Sequence, residues 1–506
     1  MDSFPYVKKP NLMYWQVKLS HFLIVWLAFF SLLLVSSISE ALPLFARQTG
    51  QNCVACHAGG QWPELTPYGR YFKLTGYTQG ERQLVPVSVM FVGGAASTKN
   101  NTGSNVADDG TVSSGNISQQ NGRFEADNAS VFIGGKILDN LGLFSQLTYC
   151  WACSQTANNQ ADSTIYNQGH FGMDNFDLRY ADHYAGTQHD LIWGATLNNN
   201  PGVTDVWNTS PAWAYPYMSP QGSRATFAGV PYAPFLENGG GANTTGYGGY
   251  LYLNKNFYVE ANAYQSATGA TSFLAYGTSN NNPNAPRTYL KGTNPYFRLA
   301  YTTEWGPHNL MVGAMGMNAA VYGYNTTSAG MLNGGPPDLS GGTMNYQDRG
   351  LDAQYQYLLN PHTVTAQVRY LRENITDNTV GGPAGNLVNK LNSFFAKASY
   401  VYNSTYGAAL GYQNITGNSD PNTYGVATPG TAYSAWATSA NNSPNTTAWI
   451  PSIWYQPIQY VRLSLQYTAF TKYMGGTSCY NDTSAGNPCR KASDNNTTWL
   501  YLWMAY

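Results

Sequence analysis

Val461-Arg462-Leu463-Ser464-Leu465-Gln466-Tyr467-Thr468 sets an apolar side chain at every second position and a polar one between. Successive strand residues point to opposite faces, so this spacing predicts a strand with one apolar and one polar face. The pattern recurs. Val364, Ala366, Val368 and Tyr370 alternate with Thr365, Gln367 and Arg369; Leu351, Ala353, Tyr355 and Tyr357 alternate with Asp352, Gln354 and Gln356; Phe176, Leu178 and Tyr180 alternate with Asp177 and Arg179. In a soluble sandwich the apolar face would turn to a core. In a membrane barrel it turns to lipid, and the polar face lines the lumen. Asp, Arg and Gln in mid-strand fit a wet lumen.

Turn spacing separates the two cases. Tight hairpins are predicted near Asp139-Asn140, Gly186-Thr187, Asn254-Lys255, Gly306-Pro307, Asn360-Pro361, Asn403-Ser404 and Gln456-Pro457. Long polar stretches lie between them, at 100–121, 198–245, 414–447 and 475–496. Short turns alternating with long loops mark an outer-membrane barrel, with the short turns periplasmic. These hairpins, a first strand near 87–92 and a last strand at 499–506 predict an all-β fold: a transmembrane antiparallel β-barrel of about 16 strands. The strand-like stretch 225–232 is assigned to a loop, because an odd count would misplace a terminus. Leu500, Leu502, Met504 and Tyr506 share one face of the last strand, which ends on an aromatic.

Composition agrees. Only 10% of the 506 residues are charged, against roughly 25% in an average soluble protein. The chain holds 40 Tyr, 13 Trp and 52 Gly, which suits aromatic girdles at two membrane interfaces. A net charge of -1 gives no field for nucleic acid, and none is expected as a partner. Lys8, Lys9 and Lys18 precede an apolar run over 22–35, and Ser39-Glu40-Ala41 offers small residues for a signal peptidase. Residues 1–41 are predicted to be a signal peptide, with an uncleaved inner-membrane anchor as the alternative. No other long apolar run occurs, which excludes a multi-span helical membrane protein.

Six cysteines fall in three close pairs: Cys53/Cys56, Cys150/Cys153 and Cys479/Cys489. Cys53-Val54-Ala55-Cys56-His57 has the C-x-x-C-H spacing of covalent haem attachment. Two thiols at that spacing meet the two vinyl groups of a haem, and the next residue presents its imidazole to the iron. Cys53, Cys56 and His57 are therefore predicted to hold one covalent haem c, His57 as the proximal iron ligand. Cys150-Trp151-Ala152-Cys153 is followed by Ser154 and has no thioredoxin-like context, so a loop disulfide is expected there. A second is expected for Cys479 with Cys489.

Thr66, Pro67 and Gly76 supply the cap, first turn and stop of a short helix. Leu65, Gly69 and Phe72 fall near helical spacing and are expected on the haem. Arg70 and Lys73 either meet the haem propionates or form a solvated basic face. The haem segment, 42–83, is too short to bury a haem unaided. It is expected to plug or cap the mouth of the barrel formed by 84–506.

Three features together resemble the fused monohaem cytochrome–porins of iron-oxidising bacteria. They are the haem motif, the run Pro67-Tyr68-Gly69-Arg70-Tyr71-Phe72-Lys73-Leu74, and the following Gly76-Tyr77-Thr78. The resemblance covers about the first eighty residues. It implies an outer-membrane cytochrome, an oxidoreductase that oxidises extracellular Fe(II). Electrons would pass to periplasmic carriers, a c-type cytochrome or a copper protein.

The distal ligand is not given by the motif. No Met or further His lies between His57 and Met90. On the first strand Val87, Val89 and Phe91 take the lipid side, which turns Ser88 and Met90 inward. Met90 is the candidate distal ligand, with plain packing of the methionine and an open, water-bearing sixth site as the alternatives. Met311, Met315 and Met317 share an inward parity. His183, His189, His308 and His362 lie near short turns. No cluster of Asp, Glu and His in the loops stands out as an Fe(II) site; Asp108 and Asp109, an acidic pair in the first long loop, are read as solvated loop charge. Two other functions stay open: a transport porin gated by the haem, and a conduit for a different donor or acceptor.

Overall fold

The structure, a computed structural model, describes residues 44–60, 63–100, 121–122, 124–150, 170–209, 232–237, 244–275, 288–322, 339–378, 386–421, 423–424, 439–481 and 489–506. The signal segment, Asp108, Asp109, the Cys150 side chain, Cys153 and 225–231 lie outside them. Residues 42–506 form one unit.

Sixteen strands close on themselves, each antiparallel to its chain neighbour, and the first pairs with the last. They are β1 (Val87–Thr98), β2 (Phe124–Leu138), β3 (Leu141–Cys150), β4 (His170–Ala185), β5 (Asp190–Asn198), β6 (Thr244–Leu253), β7 (Phe257–Ser266) and β8 (Asn294–Trp305). After them come β9 (His308–Tyr322), β10 (Thr343–Leu359), β11 (His362–Asp377), β12 (Val388–Tyr402), β13 (Tyr406–Gly417), β14 (Thr446–Ile458), β15 (Val461–Lys472) and β16 (Thr497–Ala505). Closure leaves no unpaired strand edge, as a lipid-embedded sheet requires.

The alternation in β15 is realised as read. Arg462, Ser464, Gln466 and Thr468 are 0–6% exposed, while Leu463, Leu465 and Tyr467 are 40–45% exposed. Outward aromatics gather near the short turns, among them Tyr184, Phe257, Trp305, Tyr402 and Tyr406. A second set, including Phe171, Tyr247, Phe297 and Trp449, stands near the long-loop ends. An apolar exterior between two aromatic belts is the surface of a barrel that crosses the outer membrane.

Six of the seven predicted hairpins fall where they were read. Asn254, Lys255, Asn403 and Ser404 adopt positive φ, the conformation a two-residue hairpin turn demands. The seventh is displaced. β14 runs on through Gln456 and Pro457, and the chain turns between Ile458 and Val461. The pairing of β14 with β15 breaks register between Tyr455 and Ile458, which accommodates a proline inside a strand.

The interior differs from the wet lumen expected. The β5–β6 connection, read as an external loop, sends two pieces into the barrel. A short helix, Pro201–Thr204, is capped by Asn200, whose side chain accepts from the Val203 amide at 2.7 Å. Beyond it Asp205 and Trp207 are buried. Arg298 bonds Asp352 at 2.6 Å and lies 3.3 Å from Asp205. At a second level the amides of Phe235 and Leu236 donate to Glu373 and Asp348, and Glu237 bonds Arg369 at 2.8 Å. Charges this deep persist because each has an opposite charge or a hydrogen-bond partner. Asp177, Arg179, Arg298 and Gln354 are all fully buried.

Candidate functional site

The segment ahead of the barrel folds around one short helix, Pro67–Leu74. Thr66 caps it by accepting from the Gly69 amide at 3.2 Å, and Pro67 occupies the first turn. Its end is a Schellman closure: the Gly76 amide reaches Lys73 O and the Tyr77 amide reaches Phe72 O, with Gly76 at φ +73°. Cys53–Cys56 forms a single helical turn, and the His57 amide closes it on Cys53 O at 2.8 Å. Two further bonds clamp this turn to the helix start, from the Thr66 amide to Cys56 O and from Thr66 Oγ1 to Ala55 O. Gly69 permits the contact, since a Cβ there would stand 2.2 Å from Cys56 O.

The segment is tied to the barrel wall on several sides. Arg70 donates to Asn309 Oδ1 at 2.7 Å and Gln356 Oε1 at 3.1 Å. Lys73 donates to Asp205 O at 2.8 Å, and Tyr250 OH donates to Leu74 O at 2.5 Å. Tyr77 OH donates to Asp177 Oδ2 at 2.6 Å. Gln48 donates to Tyr77 O and accepts from the Lys136 amide on β2. The Cys53 amide donates to Gln459 Oε1 in the β14–β15 turn, and Lys397 of β12 bonds Glu64. Gln356, Lys136 and Gln459 all belong to the short-turn end of the barrel, so the segment plugs that mouth.

Between plug and wall lies a cleft whose empty space, counted with its open mouth, is about 1430 Å³. Cys53, Cys56 and His57 stand on one side with Phe45, Leu65, Phe72 and Lys73. Ser88, Met90, Phe132, Phe144 and Trp503 face them from the wall. Burial pushes both thiols up to about 11, and for Cys56 the neighbouring Cys53 adds to it. Thiols raised in this way are poor nucleophiles. Two thiols and an imidazole on one side of a mainly apolar cleft fit a covalently attached haem c.

The cleft gathers the predicted Cys53, Cys56, His57, Leu65, Gly69, Phe72 and Met90. Ser88 and Met90 turn inward as read. Arg70 meets neither expectation: it is buried, absent from the cleft lining, and spent on the barrel wall. Met311, Met315 and Met317 do face inward but pack in other clusters. His183 bonds Asp190 and contacts the Tyr71 hydroxyl, while His308 and His362 bond Tyr355 and Tyr400. None of these three lines the cleft. Trp503, Phe132 and Gln459 were not anticipated. The alternation that sets Leu502 and Met504 outward also turns Trp503 inward, so that residue was available to the eye. Cys479 and Cys489 form the expected disulfide.

No protein-family model matches the chain, and no curated protein matches it. Solved structures of similar overall form exist. A loop L8 deletion mutant of OmpT, an outer membrane protein of Vibrio cholerae, aligns at a TM-score of 0.40 and 8% identity, over 83% of this chain and 98% of that one. Salmonella typhi OmpF in complex with daunomycin aligns at 0.40 and 12% identity, over 83% and 97%. The outer membrane channel DcaP of Acinetobacter baumannii aligns at 0.41 and 10% identity, over 83% and 96%.

Proposed function

We propose that the chain is an outer-membrane c-type cytochrome that takes electrons from extracellular Fe(II) and passes them to periplasmic carriers. The observation that carries this reading is the position of Cys53, Cys56 and His57 on the wall of an apolar cleft at the short-turn mouth. Haem c, when bound, supplies a one-electron Fe(III)/Fe(II) couple. Cys53 and Cys56 would hold it by thioethers, and His57 would supply an imidazole to its iron. The Thr66 and Gly69 contacts fix the motif turn against the plug helix. Phe45, Phe72, Phe132 and Phe144 give the cleft an apolar lining, which disfavours the more highly charged oxidised state and raises the potential. An opening at the short-turn mouth faces the periplasm, where a small cytochrome or copper protein would dock. Fe(II) as the donor rests on the resemblance of the first eighty residues to the fused cytochrome–porins.

A haem-gated transport porin needs a continuous water path. The buried Arg179, Arg298 and Trp207 weigh against it. A conduit for another donor or acceptor is separated by the midpoint potential, which iron oxidation requires to be strongly positive. The deciding experiment uses full-length protein extracted from outer membranes in detergent. The expected result is a haem-staining band under denaturing conditions and an oxidised spectrum that Fe(II) converts to the reduced one. Colourless protein would remove the cytochrome reading. Coloured protein that stays oxidised in excess Fe(II) would remove iron as the donor.

A further inference from the structure

The proximal side of the cleft is supplied by His57, and the barrel wall faces it. Three side chains on that cleft carry a further donor suited to haem iron: the amine of Lys73, the phenol of Tyr77 and the thioether of Met90. Lys73 is engaged with Asp205 O at 2.8 Å, and Tyr77 with Asp177 Oδ2 at 2.6 Å. Met90 is held differently. Its sulfur accepts a hydrogen bond from the indole Nε1 of Trp503 at 3.0 Å. A thioether sulfur has two lone pairs, so one stays available when the other accepts the indole N–H.

The neighbourhood keeps that sulfur in place. Met90 packs in a buried cluster with Val92, Trp454, Trp499 and Tyr501, and Trp503 lies against it. Met90 pairs with Ala505 across the β1–β16 ladder, and Val92 pairs with Trp503, so sulfur and indole share the inner face. A donor on a rigid strand with its orientation fixed by a hydrogen bond is how metal ligands are supported from behind.

We infer that Met90 is the second axial ligand of the haem iron and that Trp503 positions its thioether. The inference rests on the cytochrome reading above. Thioether ligation raises the potential of a c-type haem. The indole N–H draws electron density from the sulfur, which favours the reduced iron further. Both effects push in the direction that Fe(II) oxidation demands.

The test compares full-length wild type, Met90→Leu, Met90→His, Trp503→Phe and Lys73→Gln in detergent. Haem per polypeptide, the thioether-to-iron absorption band of the oxidised form, carbon monoxide binding to the reduced form and the midpoint potential are measured. Wild type is expected to show the band and refuse carbon monoxide. Met90→Leu should keep its haem, lose the band, bind carbon monoxide and fall in potential. Met90→His should stay closed to carbon monoxide without the band, which covers the case of a leucine variant that does not assemble. Trp503→Phe should keep the band at a lower potential. A Met90→Leu protein with its band intact overturns the ligand assignment and leaves the cytochrome reading standing, as does loss of the band in Lys73→Gln alone. A Trp503→Phe protein with unchanged potential overturns the positioning role. Wild type without covalent haem overturns both readings.

Discussion

A Cβ built on Gly69 would stand 2.2 Å from the carbonyl oxygen of Cys56. The plug helix and the motif turn touch through this backbone contact, and the same carbonyl accepts from the Thr66 amide at 2.9 Å. The helix therefore carries the two thiols and the imidazole as a rigid attachment.

Gly69→Ala should push the motif turn off the helix. The obstructing atom is backbone and has little room to give, so the cost falls near the top of the roughly 1–3 kcal/mol of overpacking. Haem per polypeptide should fall several-fold while the barrel still folds. Haem staining and heat-modifiable gel mobility check the two parts separately.

Arg70→Met should loosen the plug. The substitution leaves Asn309 and Gln356 without their charged donor, at about 1.5–3 kcal/mol for such bonds. The 3.8 Å approach to Glu304 adds little, since that carboxylate is half exposed. Protease should remove 44–83 roughly tenfold to a hundredfold faster, with the barrel core resistant as before.

Lys73 makes plug docking depend on pH. Burial first, and then nearby Arg179, pull its ammonium down from 10.5 to about 8; Asp177, Asp205 and Glu260 also face it and partly oppose the shift. Below pH 8 the docked and released states are both protonated, and the burial penalty stands in full. Above pH 8 the docked state sheds the proton that the released state retains, so docking strengthens as pH rises towards 10. Near pH 10 the Tyr77 phenol begins to act the other way, because burial raises its own value. Protease release of 44–83 should slow between pH 8 and 10 in wild type and stay level in Lys73→Met.

The packed interior predicts electrical silence. Single protein molecules in a planar bilayer should give no steady porin-like conductance. A stable open-channel current would show a water path past the buried Arg298, Asp352 and Trp207.

Strand parity and turn chemistry were legible because both are local. The inward set of β15 and the positive-φ pairs Asn254-Lys255 and Asn403-Ser404 need only their own few residues. The plug helix was legible for the same reason, from Thr66, Pro67 and Gly76. Arg70 was not, because its partners Asn309 and Gln356 sit more than two hundred positions away. Mid-strand Arg369 was read as solvated because the carboxylate that pairs with it, Glu237, comes from an aperiodic connection with no outward sign of folding back. Pro457 was read as a turn, whereas a break in register lets β14 run through it to Ile458.

Met90 belongs to the first strand, and Trp503 and Ala505 to the last, so the cleft straddles the seam at which the barrel zips shut. Its walls come together only when the two ends of the chain meet, and a partly threaded sheet would leave the motif bare to solvent. Shelter for the proposed haem is thus a certificate of completed insertion. A copy cut short before β16 would lack the Trp503 wall of the cleft even with Cys53, Cys56 and His57 intact.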